Sequence, residues 1–269
     1  MTTTPIEDLH LDSAHGERIA CSVVRRPPAA PPGRCGVFWL SGFKSTMTGT
    51  KASAVAVWAQ QAGRECVRFD YSGHGASTGR FEDGTIGRWL GEALAVFEEA
   101  ATGPQIVVGS SMGGWIALLL MREHLRRTAM EARRIRGLVL IAPAVDMTET
   151  LILPSLDEER RREIAERGMT LRPSAYDDGP YPITRGLIEE GRRHLILDAG
   201  LELPCPVRIL HGLEDPDVPW RHSVLLAGAV ACDDLTVTLV KDGDHRLSGG
   251  RDIARLLAVI DGLAREVDG

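Results

Sequence analysis

VVGSSMGGW, residues 107–115, decides how this chain is read. Two serines stand side by side between glycines. The frame Gly-x-Ser-x-Gly fits once, as Gly109-Ser110-Ser111-Met112-Gly113, and it centres on Ser111. For Ser110 the flanking positions would be Val108 and Met112, which are not glycines. The apolar run IVVG leads in and GGWIALLLM leads out, so the motif reads as a strand, a sharp turn and a buried helix. A turn that tight excludes bulky flanking residues. It also sets the serine at a helix N-terminus, where amide dipoles favour developing negative charge. Alone, the frame fits equally an N-capping serine in a glycine-rich turn. A phosphate-binding P-loop is excluded, because no Lys follows the glycines, and GxGxxG is absent.

Outward from this stretch, strand and helix signals alternate. β-rich runs fall at 18–24, 36–40, 66–70, 106–108, 137–141, 207–211 and 235–240, with 6–11 as an eighth. Most are continuous apolar runs, as expected of strands covered on both faces. Helical periodicity marks 52–61, 86–99, 111–122 and a last helix whose inner face holds Ile253, Leu256, Leu257, Ile260 and Leu263. The pattern predicts an α/β fold, with a mostly parallel central sheet of about eight strands and helices on both faces. It breaks once. Residues 144–203 show no convincing strand and carry a charged helical run, EERRREIAER (158–167), a Pro- and Tyr-rich piece at 172–182 and a helix near 187–197. That stretch reads as a small helical lid inserted into a core of residues 1–143 and 204–269. PPAAPPGR (27–34) reads as a stiff surface turn.

Bulk composition narrows the function. The net charge is −6 with no clustered basic run, against a nucleic-acid partner. No run of about 18 apolar residues suggests a membrane span. Five scattered cysteines without a CxxC pair fit free thiols. The first 17 residues lack an apolar stretch and carry Glu7, Asp8, Asp12 and Glu17, unlike a signal or transit peptide, so a cytoplasmic location is expected.

Two further stretches supply partners for Ser111. HGLEDPDVP (211–219) follows the strand run PVRIL and offers Asp215 and Asp217, either of which could orient a histidine. KDGDHRLSG (241–249) follows LTVTLV and places His245 in a polar loop. The other histidines show no metal-ligand spacing, so neither metal nor cofactor is expected. Serine, then acid, then histidine, each at a strand end, is the order of the α/β-hydrolases. An oxyanion hole in that arrangement takes the N–H of Met112 and one from the loop in FWLSGFKS (38–45), where Phe43 is the expected donor.

GSSMGGW, RFDYSGHGAS (68–77), TGTKA (48–52), HGLEDPDVPW and DHR together resemble the α/β-hydrolases. They are most similar to the branch containing a mitochondrial palmitoyl-protein thioesterase that also cleaves an acyl glucuronide. In the superfamily pattern HGxxDxxVP the acid falls on Asp215, leaving Asp217 second. The resemblance implies a Ser111–His245–Asp215 serine hydrolase acting on a small-molecule acyl ester or thioester, or on an acylated protein; the alternatives are peptide or carbon–carbon bond hydrolysis by the same triad, or a non-catalytic ligand-binding member of the fold. Its departures are Ser41 where many relatives carry His, and a lid that matches less sharply.

Overall fold

A computed structural model describes residues 6–28, 30–31, 33–173 and 179–268. Residues 29 and 32 of the expected proline-rich turn, and 174–178 of the Pro- and Tyr-rich piece, lie outside them. Eight strands form the central sheet: β1 (Ile6–Asp12), β2 (Arg18–Val24), β3 (Gly36–Leu40), β4 (Cys66–Phe69), β5 (Gln105–Ser110), β6 (Ile135–Ile141), β7 (Val207–Gly212) and β8 (Leu235–Val240). Their order across the sheet is β1-β2-β4-β3-β5-β6-β7-β8. The β1–β2 and β2–β4 pairs are antiparallel; every later pair is parallel.

Side-chain alternation along the strands builds two apolar layers. On β3 and β5, Phe38, Leu40 and Val107 join the layer under helices α2 (Ile86–Glu99) and α3 (Met112–Arg127). Val37, Trp39, Ile106 and Val108 face the other way. They pack against α1 (Thr50–Gln61) and the C-terminal helix, α7 (Gly250–Asp268). Leu90, Ala93, Leu94 and Phe97 of α2 point inward, as the periodicity predicts. Helix α3 is almost wholly buried through Met121. Each large side chain buried there contributes roughly 1.5–3 kcal/mol by transfer from water. The helix then runs beyond the expected end at Arg122 to Arg127, its last turns polar and basic.

Residues 144–203 contain more than helices, which corrects the expectation of a strand-free lid. A π-helical turn, Thr148–Ile152, leads to α4 (Glu158–Arg167). Asp157 caps α4 by accepting from the Arg160 N–H, and Gly168 ends it with φ +81°. An antiparallel pair follows, Met169–Arg172 with Tyr181–Thr184. Each strand has only four residues and one holds Pro182, so the period-2 signal is too short to read. Helix α5 then spans only Arg185–Gly191, with a 3₁₀ turn at Arg192–His194. The helix expected to continue to Leu197 stops because the Asp146 carboxylate takes the N–H groups of Ile196 and Leu197, at 2.8–3.0 Å. A short helix, α6 (Arg221–Ala229), precedes β8.

Candidate active site

The turn between β5 and α3 is fixed by backbone crowding. A Cβ at Gly109 would overlap the Gly113 carbonyl, and one at Gly113 would overlap the Leu40 carbonyl oxygen. Gly114 lies against Pro143. Only glycines let the strand, the helix and β3 approach this closely. Ser111 adopts φ +54°, ψ −118°, a conformation that L residues seldom take. Three hydrogen bonds hold it there. Its N–H donates to the Ile141 carbonyl at 2.8 Å, and its carbonyl accepts from Gly114 at 2.9 Å and Ala144 at 3.0 Å.

The loops after β7 and β8 abut for the same reason. A Cβ at Gly212 would overlap the Gly243 carbonyl, and the Glu214 N–H donates to that carbonyl at 2.9 Å. This close approach carries Asp215 to His245. Asp215 Oδ2 accepts from His245 Nδ1 at 2.7 Å, and His245 Nε2 lies 3.0 Å from Ser111 Oγ. An ionised carboxylate only accepts, so His245 carries its proton on Nδ1 and offers Nε2 as acceptor to the Ser111 hydroxyl. Asp215 is buried, and burial alone would raise its pKa. Hydrogen bonds from His211 and His245, and the Val218 N–H, outweigh that and hold the carboxyl well below the usual carboxylate range. The ionised form is therefore the resting one. Asp215, not Asp217, is the acid bonded to His245 Nδ1; the Asp217 N–H donates to Asp215 Oδ1 at 2.9 Å, making it part of the turn that steadies the acid.

Asp215, Asp217 and His245 could together face a cation, their ligand atoms lying within 4.8 Å of one another. The bonds to Nδ1 and Nε2 instead spend both ring nitrogens of His245 within the chain.

Two histidines dismissed for want of metal-ligand spacing turn out to brace the site. His211 is fully buried; its Nε2–H donates to the Val218 carbonyl at 2.8 Å and approaches Asp215 Oδ2 at 3.2 Å. Its Nδ1 accepts from the Ser223 hydroxyl at 2.6 Å. His74 Nε2 accepts the Lys44 N–H at 3.2 Å, and its Nδ1–H donates to the Ser72 carbonyl at 3.1 Å. Burial lowers the His74 pKa and keeps the ring neutral, so that it can accept. Asp70 receives the Met47 N–H at 2.6 Å. The 68–77 stretch thus braces the loop holding Gly42 and Phe43. Its sequence signals were its place at a strand end and its part in the family resemblance.

A cavity of about 150 Å³ opens over Ser111, bounded by Phe43, Met147, Leu151, Ile152 and Ile183. The expected oxyanion donor Phe43 lies on its wall, its ring packed edge-on to Phe81, Trp89 and Tyr181. Met112, fully buried, opens α3 beside the serine.

The sequence profile of the family described as serine aminopeptidase, S33, matches residues 34–177. The mitochondrial palmitoyl-protein thioesterase ABHD10 of Homo sapiens is 36% identical over 229 residues, covering 85% of this chain and 72% of that protein. The chain belongs to the α/β-hydrolase family. It is accordingly a serine hydrolase. Among solved α/β-hydrolases, one from Agrobacterium vitis S4 is 45% identical with a TM-score of 0.90, covering 97% of this chain and 99% of that one. Mouse alpha/beta hydrolase domain-containing protein 10 is 33% identical with a TM-score of 0.84 and the same coverage.

The comparison also corrects the expected location. The curated relatives are named as mitochondrial, which points away from the cytoplasm. The acids that argued against a transit peptide include Glu7, Asp8 and Asp12, which belong to β1. They report a folded edge strand, not an address. No helix among the described residues is long and apolar enough to cross a membrane.

Proposed function

We propose that this α/β-hydrolase cleaves an acyl ester or thioester through a covalent acyl-enzyme on Ser111. The single observation carrying the reading is the continuous contact from Asp215 Oδ2 through His245 to Ser111 Oγ, at 2.7 and 3.0 Å. His245 Nε2 takes the hydroxyl proton as Ser111 attacks the carbonyl. Asp215 keeps the imidazole in the required tautomer and offsets its charge. The N–H groups of Phe43 and Met112 receive the oxyanion, each worth on the order of 3 kcal/mol by analogy with other oxyanion holes. His245 passes the proton to the leaving group, then activates water to release the acid. Residues 144–203 act as the lid, with Met147, Leu151, Ile152 and Ile183 forming its acyl-facing wall.

Thioester cleavage is supported by the similarity to proteins named palmitoyl-protein thioesterase. The matched profile's name suggests a peptidase instead, but an aminopeptidase must hold a substrate ammonium. Among the described residues lining the cavity, Lys44, Lys51, Arg172 and Arg246 stand with one carboxylate, Asp217. That charge balance repels an ammonium and suits a neutral or anionic substrate. The test is covalent labelling by a fluorophosphonate together with turnover of matched oxygen esters, thioesters and peptides. Ser111→Ala is expected to abolish labelling and lower kcat by about 10⁶-fold. Retention of full esterase activity in that variant would overturn the reading.

A further inference from the structure

Lys44, the residue after Phe43, has φ +54°. A lysine seldom rests in that left-handed region, and it stays there only where its surroundings impose it. The position matters, because Phe43 is the expected oxyanion donor and Lys44 sets how the backbone leaves it. The Ser45 N–H closes the loop by donating to the Gly42 carbonyl at 3.0 Å. Further holds come from the segment around β4. The Lys44 N–H donates to His74 Nε2 at 3.2 Å, the Met47 N–H to Asp70 Oδ1 at 2.6 Å, and Arg68 Nη1 to the Met47 carbonyl at 2.9 Å.

His74 is itself fixed on every side. It is buried, its ring centre 5.0 Å from that of Phe81, 5.3 Å from Trp89 and 5.7 Å from Tyr71. Its Nδ1–H donates to the Ser72 carbonyl at 3.1 Å, and the same oxygen accepts from Trp89 Nε1 at 3.3 Å. The Ser72 N–H in turn donates to the buried Glu92 carboxyl at 2.9 Å. A chain of contacts therefore runs from Glu92 on α2, through Ser72 and His74, to the Lys44 N–H. The aromatic cluster around His74 also meets Phe43, whose ring centre lies 4.8 Å from Phe81 and 5.9 Å from Trp89. Burial keeps the His74 ring neutral, with Nε2 as an acceptor.

We propose that His74 is a positioning residue for the oxyanion hole: by accepting the Lys44 N–H it holds the strained backbone that aims the Phe43 N–H at the substrate carbonyl. This rests on the acyl-enzyme reading, with Phe43 as one donor. His74 does not line the cavity over Ser111, so it acts through the loop and not on substrate. An oxyanion donor stabilises charge that develops only in the transition state, so its misplacement costs turnover more than binding. A ring that only fills space and a ring that accepts a hydrogen bond predict opposite orders among substitutions. His74→Phe keeps an aromatic ring in the cluster and removes the acceptor. His74→Gln loses the ring and keeps an acceptor, its amide oxygen.

The experiment measures kcat and KM of both variants on one thioester, per active site counted by fluorophosphonate labelling, so that unfolded protein drops out. It adds the affinity for butylboronic acid, whose tetrahedral adduct on Ser111 places an oxygen in the hole. Expected for His74→Phe is a fall in kcat of about tenfold or more, short of the ~10²–10³-fold that removal of a whole oxyanion donor costs. Its KM should stay nearly unchanged, and boronate affinity should fall in parallel with kcat/KM. His74→Gln should retain most of the parent kcat. A loss in His74→Phe no greater than in His74→Gln overturns the proposal, as does a change confined to KM or an undiminished boronate affinity in His74→Phe. Ser111→Ala is assayed alongside. Turnover surviving in it breaks the acyl-enzyme reading and this inference with it, whereas an inactive Ser111→Ala beside a fully active His74→Phe breaks only the role of His74.

Discussion

The turn at 107–115 and the insertion at 144–203 sit on opposite sides of one cavity and are built by opposite means. The turn is held by backbone against backbone: Gly109 on Gly113, Gly113 on the Leu40 carbonyl, and Ser111 hydrogen-bonded through both its N–H and its carbonyl. Almost no side chain is involved, so almost no sequence but this one fits. The insertion is held by side chains. Glu190 accepts the Gly87 N–H at 2.8 Å, Trp115 donates to the His194 carbonyl at 3.1 Å, and Glu149 pairs with Arg192 at 2.8 Å. Beneath these, Ile152, Ile164, Ile183, Leu187 and Ile188 pack into the layer over α2 and α3. Many sequences could satisfy contacts of that kind. Under the proposed function, the chemistry sits on the rigid side and substrate selection on the side that tolerates change.

The comparison can be broken at either end. The largest effect is expected from Asp215→Asn. An amide there loses the charge that opposes the imidazolium and permits the wrong His245 tautomer, so kcat should drop by about 10⁴-fold with little change in KM. A loss confined to KM would remove Asp215 from the proposed role. Next comes Gly113→Ala. Its methyl must displace the Leu40 carbonyl, so the variant should lose at least ~1–3 kcal/mol of stability and unfold at lower denaturant. An unshifted midpoint would mean the turn is not the rigid element described.

The smallest effect belongs to the insertion. Glu190→Gln weakens one latch, and hydrogen exchange in residues 181–197 should quicken while the midpoint moves less than for Gly113→Ala. Burial would raise the Glu190 pKa, but bonds from His194, Gly87 and Thr85 prevail and lower it. The latch therefore contributes fully above the ordinary glutamate value of ~4.3 and is lost as pH falls through the lower folded value. Exchange in this segment should accelerate below that range in the parent protein, and less so in Glu190→Gln. Equal acceleration in both would place the acid-sensitive contact elsewhere.

Legibility in the sequence follows the same division. All eight strands of the sheet carried continuous or alternating apolar patterns, and their ends lie within two residues of the expected ones. Ser111, Asp215 and His245 stood out because short-range constraints, such as glycines at fixed offsets and loops after strands, leave marks in the sequence. His74 and His211 fall inside the quoted stretches RFDYSGHGAS and HGLEDPDVPW, but their bracing contacts left no mark there. Their partners, the Lys44 N–H and the Ser223 hydroxyl, lie 30 and 12 residues away, and nothing in the local pattern announces a bond across a loop. The 169–172 and 181–184 strands were hidden by their brevity and by Pro182. Helix α5 ended early because of a carboxylate at Asp146, a residue 50 positions from Ile196.

The Ser111 backbone is strained. At φ +54° a side chain is tolerated only because the surroundings impose it, at a strain of order 1–3 kcal/mol. Glycine alone would rest there easily. Selection for a sturdier fold and selection for turnover therefore pull this one position in opposite directions. With Ser111 as the proposed nucleophile, the hydroxyl is kept by the reaction against the preference of the chain that carries it.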